Sequence, residues 1–382
     1  MTSSAPENAG LYVHVPFCTS VCPYCDFAVT IAGEERREGW VEGVISEAEM
    51  YEEIGLTFDT LYFGGGTPSS LSPEQLSRVV DALDWHLDLV RGVEIFLEAN
   101  PEDVNARSAA AWRRLGVDFV SLGVQSFDDT DLGVLGRRHS AQDAFRAVDE
   151  LMGAGFSTVS IDLMYGLHGR SPEHWRAQLE TAVGLGTDHL SCYQLTIHPK
   201  TLLGRRVARG TVKQLEDVRL ERLFFLTHEV LTEAGFEGYE VSNFASSPEH
   251  RSKHNQKYWD HSPYLGLGPS AHSFAAGRRW WNRPRLRLWQ QALATREAPV
   301  EDDERPSEEQ LVLETLMLGF RTSEGVDLDR LADRYAVDLM AANTEVVDRL
   351  SDSGHLLVDG ARLRPTLRGL AIADTLARSF VL

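Results

Sequence analysis

The sequence predicts an α/β fold, in which a partial barrel of six βα units precedes a smaller, mostly helical domain. Three observations support this prediction. Short apolar stretches alternate with amphipathic ones through about residue 235, which is the pattern of parallel strands joined by right-handed helical crossovers. Cysteines, glycines and polar side chains that could act chemically follow the predicted strands. Beyond about residue 235 the alternation stops, and the last part of the chain is largely helical in pattern.

Six strands are predicted, at residues 11–15, 59–63, 93–97, 119–124, 158–164 and 189–197. The helices between and after them are expected at residues 34–54, 73–89, 104–115, 128–135, 141–154, 172–185 and 215–234. Eight such units close a full barrel, so six form a partial, TIM-like one. We therefore divide the chain into a flexible N-terminus (1–10), the partial barrel (11–235), a barrel extension (236–300) and a C-terminal domain (301–382).

The C-terminal domain is predicted from three helical patterns, two short strands and a final helix. Residues 301–306 are acidic and are interpreted as a linker. The elements that follow are expected at residues 307–320, 327–334, 338–352, 356–358, 362–364 and 366–378. Helices followed by a small hairpin indicate a winged-helix-like domain. Its acidity argues against DNA binding and favours a lid or a partner surface.

Composition excludes several functional classes. The chain carries 37 Lys and Arg against 57 Asp and Glu, a formal net charge of −20, which disfavours a nucleic-acid-binding function because phosphate contacts need a basic surface. No apolar run approaches the length of a membrane span. The N-terminal residues lack the basic and apolar segments of a signal peptide. We expect a soluble, cytoplasmic protein without an integral membrane segment.

Three of the four cysteines, Cys18, Cys22 and Cys25, lie within eight positions just after the first strand. Pro16 ends that strand, so the cysteines lie on a loop and can converge on one group. Disulfides are disfavoured because the number is odd and the cytosol is reducing. A structural zinc ion usually needs a fourth protein ligand, and His14 is better explained by packing. A [4Fe–4S] cluster accepts cysteine ligands, and three of them leave one iron open.

Other polar residues follow the later strands. Gly64–Gly66 end the second strand, Glu98 the third and Gln125 the fourth, and Asp162 lies near the end of the fifth. The carboxyl ends of parallel barrel strands share one face, where active sites form. Glycines let the backbone approach a ligand, carboxylates and an amide suit an ammonium group and ribose hydroxyls, and Arg137 could bind a carboxylate. The glycine run lacks the GK[ST] of a P-loop, and a simple tight turn remains the alternative.

The motif CTSVCPYC resembles the CxxxCxxC of radical S-adenosylmethionine (SAM) proteins. The segments YVHVPFC, GGGTPS, LEANPE, GVQSF and IDLMYGL are similar to the branch that contains oxygen-independent coproporphyrinogen III oxidase. The resemblance implies a radical SAM barrel in which SAM binds the open iron and is cleaved to a 5′-deoxyadenosyl radical on reduction. The implied SAM-binding residues are Tyr12, Tyr24, Gly64, Gly65, Gly66, Glu98, Gln125, Arg137 and Asp162, with Thr196, Ala271 and His272 as weaker matches.

Two departures distinguish this chain from the decarboxylating enzyme of that branch. Phe27 stands where the enzyme's CxxxCxxCxC motif has its last cysteine, and only ten residues precede Leu11, where the enzyme has a longer segment. By contrast, His254, Asn255, Tyr258 and Trp259 match the HNxxYW motif of the HemW-type heme chaperones. That resemblance implies heme binding, transfer of heme to acceptor proteins such as respiratory enzymes, and a monomer or a homodimer.

The chemistry of the HNxxYW motif suits heme. A neutral imidazole from His254 can ligate heme iron, and Tyr258 and Trp259 offer flat faces to a porphyrin. Arginines 278, 279, 283 and 285 could pair with the propionates. A packed core corner is the alternative, since His and Trp often simply pack. Other candidate heme ligands are His139, His198, His261 and His272, and Cys192 is interpreted as a buried core thiol.

We therefore expect a heme chaperone that binds a [4Fe–4S] cluster, SAM and heme. The alternative is oxygen-independent coproporphyrinogen III oxidase, and its dehydrogenase activity is not expected here because of Phe27. A third hypothesis is a radical enzyme acting on an unrelated substrate, because one fold supports many chemistries.

Overall fold

The structure is a computed structural model that describes residues 8–381. Residues 1–7 of the predicted flexible N-terminus lie outside the described part of the chain, and the first strand already begins at Ala9. Six parallel strands form the centre of the main sheet: β1 (Ala9–Val15), β2 (Thr57–Gly65), β3 (Asp88–Ala99), β4 (Val117–Gln125), β5 (Thr158–Tyr165) and β6 (His189–Gln194). They lie side by side in chain order, which confirms the predicted α/β class.

Helices connect these strands as expected: α1 (Glu34–Glu49), α2 (Pro73–His86), α3 (Ala106–Arg114), α4 (Asp129–Leu135), α5 (Ala141–Ala154), α6 (Pro172–Gly184), α7 (Leu202–Ala208) and α8 (Asp217–Glu233). Sequence signals explain several of their starts. Ser72 caps α2 in a capping box with Gln75, and Ser140 caps α5 with Asp143, so each pair satisfies backbone groups that a helix end leaves free. The short helix α7 was not predicted.

The barrel extension continues the sheet at both edges. It contains β7 (Glu237–Gly238), β8 (Asn243–Ala245), α9 (Lys253–Trp259), β9 (Tyr264–Leu267), β10 (His272–Ala275), β11 (Arg278–Asn282), α10 (Leu286–Ala294) and β12 (Val300–Glu304). In residues 8–381 the full order is β12-β11-β10-β9-β1-β2-β3-β4-β5-β6-β8-β7. Strand β9 runs parallel to β1, and β8 runs antiparallel to β6.

The linker predicted at residues 301–306 is wrong, because most of this stretch is the edge strand β12. It pairs antiparallel with β11. Arg278 Nε lies 2.8 Å from an oxygen of Asp303, and Arg279 lies 2.8 Å from Glu304. Opposite charges on facing strands stabilise the pair. The acidic stretch therefore forms a strand because its partner β11 is basic.

The C-terminal domain has its own small core and is mostly helical, as predicted. Its elements are α11 (Glu308–Gly319), β13 (Val326–Asp327), α12 (Leu328–Tyr335), α13 (Leu339–Asp352), β14 (Leu356–Asp359), β15 (Arg362–Pro365), α14 (Leu367–Leu370) and α15 (Ala373–Arg378). The predicted final helix is therefore two helices. Leu316, Phe320, Leu363 and Leu376 are fully buried in this core. Among residues 8–381, no helix is both long and apolar enough to cross a membrane.

Candidate functional site

A cavity of about 410 Å³ opens at the carboxyl ends of the parallel strands. This volume lies in the roughly 300–1,000 Å³ range of small-molecule sites. The predicted residues that line it are Cys18, Cys22, Tyr24, Cys25, Gly65, Gly66, Glu98, Gln125, Arg137, Asp162 and Thr196. The shared face expected from the strand ends therefore exists, and it brings residues from β2 to β5 to the cysteine loop.

The cysteine loop is fixed at its base by Thr30. The backbone N–H of Thr30 donates to the carbonyl of Pro16 at 2.6 Å, and the carbonyl of Thr30 accepts from the Cys18 N–H at 3.1 Å. The Cys18 sulfur lies 3.5 Å from the hydroxyl of Thr67. All three thiols are half-buried and line the cavity, and desolvation by burial raises the pKa of Cys18 and Cys25.

The arrangement of the three thiols fits a cluster better than a single metal ion. Within residues 8–381, no three His, Cys, Asp or Glu side chains converge closely enough to hold one ion. A cubane does not require that convergence, because each cysteine binds a different iron. Arg137 places a guanidinium nitrogen 3.8 Å from the Cys22 sulfur.

The glycines at the end of β2 are required by packing. Gly65 has a φ of +109°, and a Cβ there would lie 2.5 Å from the ring of His14. A Cβ on Gly66 would lie 2.7 Å from the carbonyl oxygen of Phe17. The Gly66 N–H donates to the carbonyl of Val15 at 2.8 Å. The glycine run therefore lets β2 reach the start of the cysteine loop, and the backbone of Gly65 and Gly66 faces the cavity.

Two half-buried carboxyl groups, Glu98 and Asp162, line the cavity. Glu98 accepts hydrogen bonds from the Gly65 N–H at 3.0 Å and from the Tyr62 hydroxyl at 2.9 Å. Asp162 accepts from the Ser121 hydroxyl at 2.9 Å. Burial raises the pKa of Glu98, and it raises the pKa of Asp162 to about 7. A cationic ligand would stabilise the ionised form of both groups, which suits the ammonium and sulfonium groups of SAM.

Gln125 and Arg137 are held in particular conformations. Gln125 has a φ of +67°, in the left-handed region that a residue other than glycine rarely adopts, and the β4–β5 pairing is irregular between Leu122 and Gln125. One guanidinium nitrogen of Arg137 donates to Asn100 at 2.6 Å and to the carbonyl of Gly123 at 2.8 Å. Uncommon backbone conformations of this kind concentrate at functional sites.

The structure also adds cavity residues that the sequence did not single out, and leaves others out. The additions include Asn100, Ser121, Met164, Tyr193 and Gln194, and His198, named above as a candidate heme ligand, lines this cavity too. Ser121 and Tyr193 could have been found from the alternation of side chains along β4 and β6. Tyr12 and Gly64 lie in the layer below, where the Tyr12 ring packs 6.1 Å from Tyr62. Neither they nor Ala271 and His272 line the cavity.

The HNxxYW motif forms α9, which lies at the opposite, amino-terminal end of the strands. His254 is 1% exposed. Its Nδ1 lies 2.9 Å from the hydroxyl of Thr60, and its Nε2 lies 2.9 Å from the hydroxyl of Tyr258. Its ring stacks on Tyr62 at 5.0 Å. Burial lowers the pKa of His254 to about 3, so the imidazole is neutral, but both of its nitrogens already have partners inside the barrel.

Ion pairs fix α9 to two strands of the sheet. Lys253 lies 2.6 Å from Glu94 of β3, and Lys257 lies 2.7 Å from Asp59 of β2. The helix thus closes the mouth of the barrel away from the cysteines. At its end, Trp259 lines a second cavity, of about 240 Å³, shared with the C-terminal domain.

Of the remaining members of the predicted heme site, Asn255 is half-buried and two of the arginines are already paired, whereas the other two are not. Asn255 is half-buried, and its backbone N–H donates to the capping hydroxyl of Ser252. Arg278 and Arg279 form the ion pairs with β12, and Arg279 also contacts Glu314. Arg283 and Arg285 form no carboxylate pair within residues 8–381.

Comparisons with known proteins agree with this architecture. The model of the Radical SAM superfamily matches residues 12–182, and that of the HemN C-terminal domain matches residues 307–372. The chain is 36% identical over 377 residues to the heme chaperone HemW of Mycobacterium tuberculosis H37Rv, with 97% of this chain and 94% of that protein covered. It is 31% identical to HemW of Bacillus subtilis, with 90% and 91% covered.

A solved structure shows the same fold. Coproporphyrinogen III oxidase (HemN) from Escherichia coli, described as a radical SAM enzyme, superposes with a TM-score of 0.85 at 20% identity, with 98% of this chain and 90% of that chain covered. Membership of the radical SAM superfamily implies a [4Fe–4S] cluster and SAM as cofactors. The near-complete matches confirm the predicted resemblance: the chain belongs to the family of HemW-type heme chaperones, within the radical SAM superfamily.

Proposed function

We propose that the protein is a heme chaperone that carries a [4Fe–4S] cluster and SAM, binds heme as cargo and passes it to acceptor proteins in the cytoplasm. The observation that carries this proposal is the 36% identity to a named heme chaperone over 97% of the chain. A second observation supports it. Phe27, at the position of the decarboxylating enzyme's additional cysteine, is 67% exposed at the rim of the cavity.

In this proposal Cys18, Cys22 and Cys25 hold the cluster, which when bound supplies one-electron chemistry toward SAM. The protein's own groups would bind and orient the ligand. The partly desolvated carboxyl groups of Glu98 and Asp162 would pair with the positive charges of a cationic ligand. The exposed backbone of Gly65 and Gly66 and the side chains of Gln125, Arg137 and Tyr24 would form the remaining contacts.

For heme we propose the HNxxYW residues, His254, Asn255, Tyr258 and Trp259, with an opening step. Ligation of iron by His254 requires that the imidazole leave Thr60 or Tyr258, because both ring nitrogens are hydrogen-bonded. Helix α9 has only seven residues, and a helix that short is marginal by itself. Its position therefore depends on these tertiary contacts, and their rupture would expose the motif to heme.

The test uses anaerobically reconstituted protein with measured iron and sulfide content. Heme is titrated and followed at the Soret band, and a parallel sample receives coproporphyrinogen III, SAM and a reductant. We expect saturable heme binding, transfer of heme to an apo-acceptor and no protoporphyrinogen. Decarboxylated product without specific heme binding would instead assign the chain to the coproporphyrinogen III oxidase activity of its structural relative.

A further inference from the structure

A groove of about 550 Å³ lies beside the cysteine loop. One wall consists of Pro16 and the segment Ala28–Thr30, which are the two ends of the loop. The other consists of Arg36 on α1 and residues 284–287 at the start of α10, with Gln290. The groove therefore joins the loop that carries the cysteines to the barrel extension.

The groove is strongly basic in an acidic protein. Arg36, Arg285 and Arg287 line it, and no Asp or Glu does. All three arginines are exposed, and none of them forms an ion pair with a carboxylate of residues 8–381. On the neighbouring strand β11, by contrast, Arg278 is paired with Asp303. Against a net charge of −20, three unpaired cations around one concave surface create a local positive potential that attracts an acidic partner.

The composition of the groove disfavours heme as its ligand. None of the lining residues is aromatic, and none is a His, Cys, Met or Tyr that could ligate iron. The arginine side chains are exposed rather than enclosed, which favours a large, charged surface over a buried small molecule.

The groove is also directly connected to a cluster ligand. Thr30 lines the groove, and its carbonyl accepts the hydrogen bond from the Cys18 N–H at 3.1 Å. A protein docked on this surface would thus be separated from Cys18 by one residue and one hydrogen bond. Val29 lines both this groove and the cavity that holds the cysteines, so the two sites adjoin along the loop.

We propose that this basic groove is the docking surface for an acidic one-electron carrier protein with a flavin or iron–sulfur centre. The carrier loses one electron and the [4Fe–4S] cluster gains it, and no bond or proton changes place. Docking of the carrier rests on the proposed cluster, but it does not depend on the delivery of heme.

The test compares wild-type protein with the triple variant Arg36→Glu, Arg285→Glu, Arg287→Glu. The probe is an acidic flavodoxin. Its oxidised form is used to measure affinity by biolayer interferometry. Its chemically reduced form is used to measure the rate of electron transfer to the reconstituted cluster by stopped flow. At low salt we expect the groove variant to bind flavodoxin at least roughly tenfold more weakly than the wild type. We expect its cluster to be reduced at least roughly tenfold more slowly. We also expect the wild-type rate to fall with ionic strength while the variant rate does not.

A second triple variant, Arg219→Glu, Arg222→Glu, Arg378→Glu, is the matched control, because it makes the same charge change at exposed arginines outside the groove. Iron content and the rate of reduction by dithionite should be the same in all three proteins, which shows that the cluster is intact. Equal flavodoxin rates in the two variants would overturn the proposal. Unchanged flavodoxin rates together with weakened heme binding in the groove variant would overturn it as well and would assign the arginines to heme propionates.

Discussion

The hydroxyl of Thr60 lies 2.9 Å from Nδ1 of His254, a contact between residues 194 positions apart in the chain. It joins the second strand of the barrel to the helix that carries the HNxxYW motif. Together with the contact between His254 and Tyr258, it keeps the imidazole inside the barrel. The motif expected to bind heme therefore also closes one end of the barrel. Heme ligation and this closure would use the same ring nitrogens of His254.

The first prediction is that Thr60→Val strengthens heme binding. Valine has nearly the shape of threonine but cannot hydrogen-bond, so the closed position of His254 loses about 0.5–1.5 kcal/mol. This corresponds to a gain in heme affinity of up to about tenfold. Soret titration measures it.

Thr158→Val is the control, since the Thr158 hydroxyl lies 2.8 Å from a ring nitrogen of His250, which precedes α9 and is not part of the HNxxYW motif. Heme affinities that do not differ between the two variants would show that opening of this contact is not part of heme binding.

The second prediction concerns the cluster. Cys18→Ala, Cys22→Ala and Cys25→Ala should each lose most of the bound iron and sulfide, because each thiolate holds its own iron. Cys192→Ala is the matched control, since Cys192 is 1% exposed in the core. This substitution should lower the stability of the protein but leave its iron content unchanged. Chemical iron and sulfide assays after reconstitution measure the effect. Full retention of iron in all three loop variants would contradict the assignment.

The third prediction is a pH dependence of stability that comes from His254. Its pKa in the folded protein is about 3, below the ordinary value of about 6.5. The unfolded chain therefore binds a proton first as the pH falls. The stabilisation is complete above about pH 6.5 and is lost progressively toward pH 3, by up to about 1.4 kcal/mol per pH unit.

Wild-type protein and His254→Gln should accordingly differ in the slope of unfolding free energy against pH. Asp162 and Glu47, whose pKa values burial raises to about 7 and about 8, act in the opposite direction but are common to both proteins. Urea unfolding at several pH values between about 5 and about 8 measures the difference. Parallel curves would show that His254 is not neutral and buried in solution.

The fourth prediction is that Gln125→Gly stabilises the protein while weakening SAM binding. Glycine adopts the φ of +67° without steric cost, which favours the fold by about 1 kcal/mol. The loss of the amide would also remove the proposed contact between Gln125 and SAM.

Ala336→Gly, at another left-handed residue with a φ of +55°, should give a similar gain in stability and leave SAM affinity unchanged. Thermal unfolding and calorimetric SAM titration measure the two effects. A SAM affinity unaltered by Gln125→Gly would remove Gln125 from the site.

Much of the site was predictable because parallel strands bring their carboxyl ends to one edge. Glu98 and Asp162 lie far apart in the chain, yet both line the cavity with the cysteines. The burial of His254 was not predictable from local pattern, since it depends on Thr60 and Tyr62 on a distant strand. The strand β12 was missed for a similar reason. Its acidic residues are typical of a linker, and only the structure shows that arginines of β11 face them.

The position of β1 has a consequence for synthesis of the protein. Strand β1, which leads into the cysteine loop, is covered on one side by β2 and on the other by β9. Because β9 ends at Leu267, that second side stays open until most of the chain has emerged from the ribosome. At 5–20 residues per second this lasts roughly 10 to 50 s. An unpaired strand edge attracts other strands, so a nascent chain that stalls before β9 is the form most exposed to aggregation.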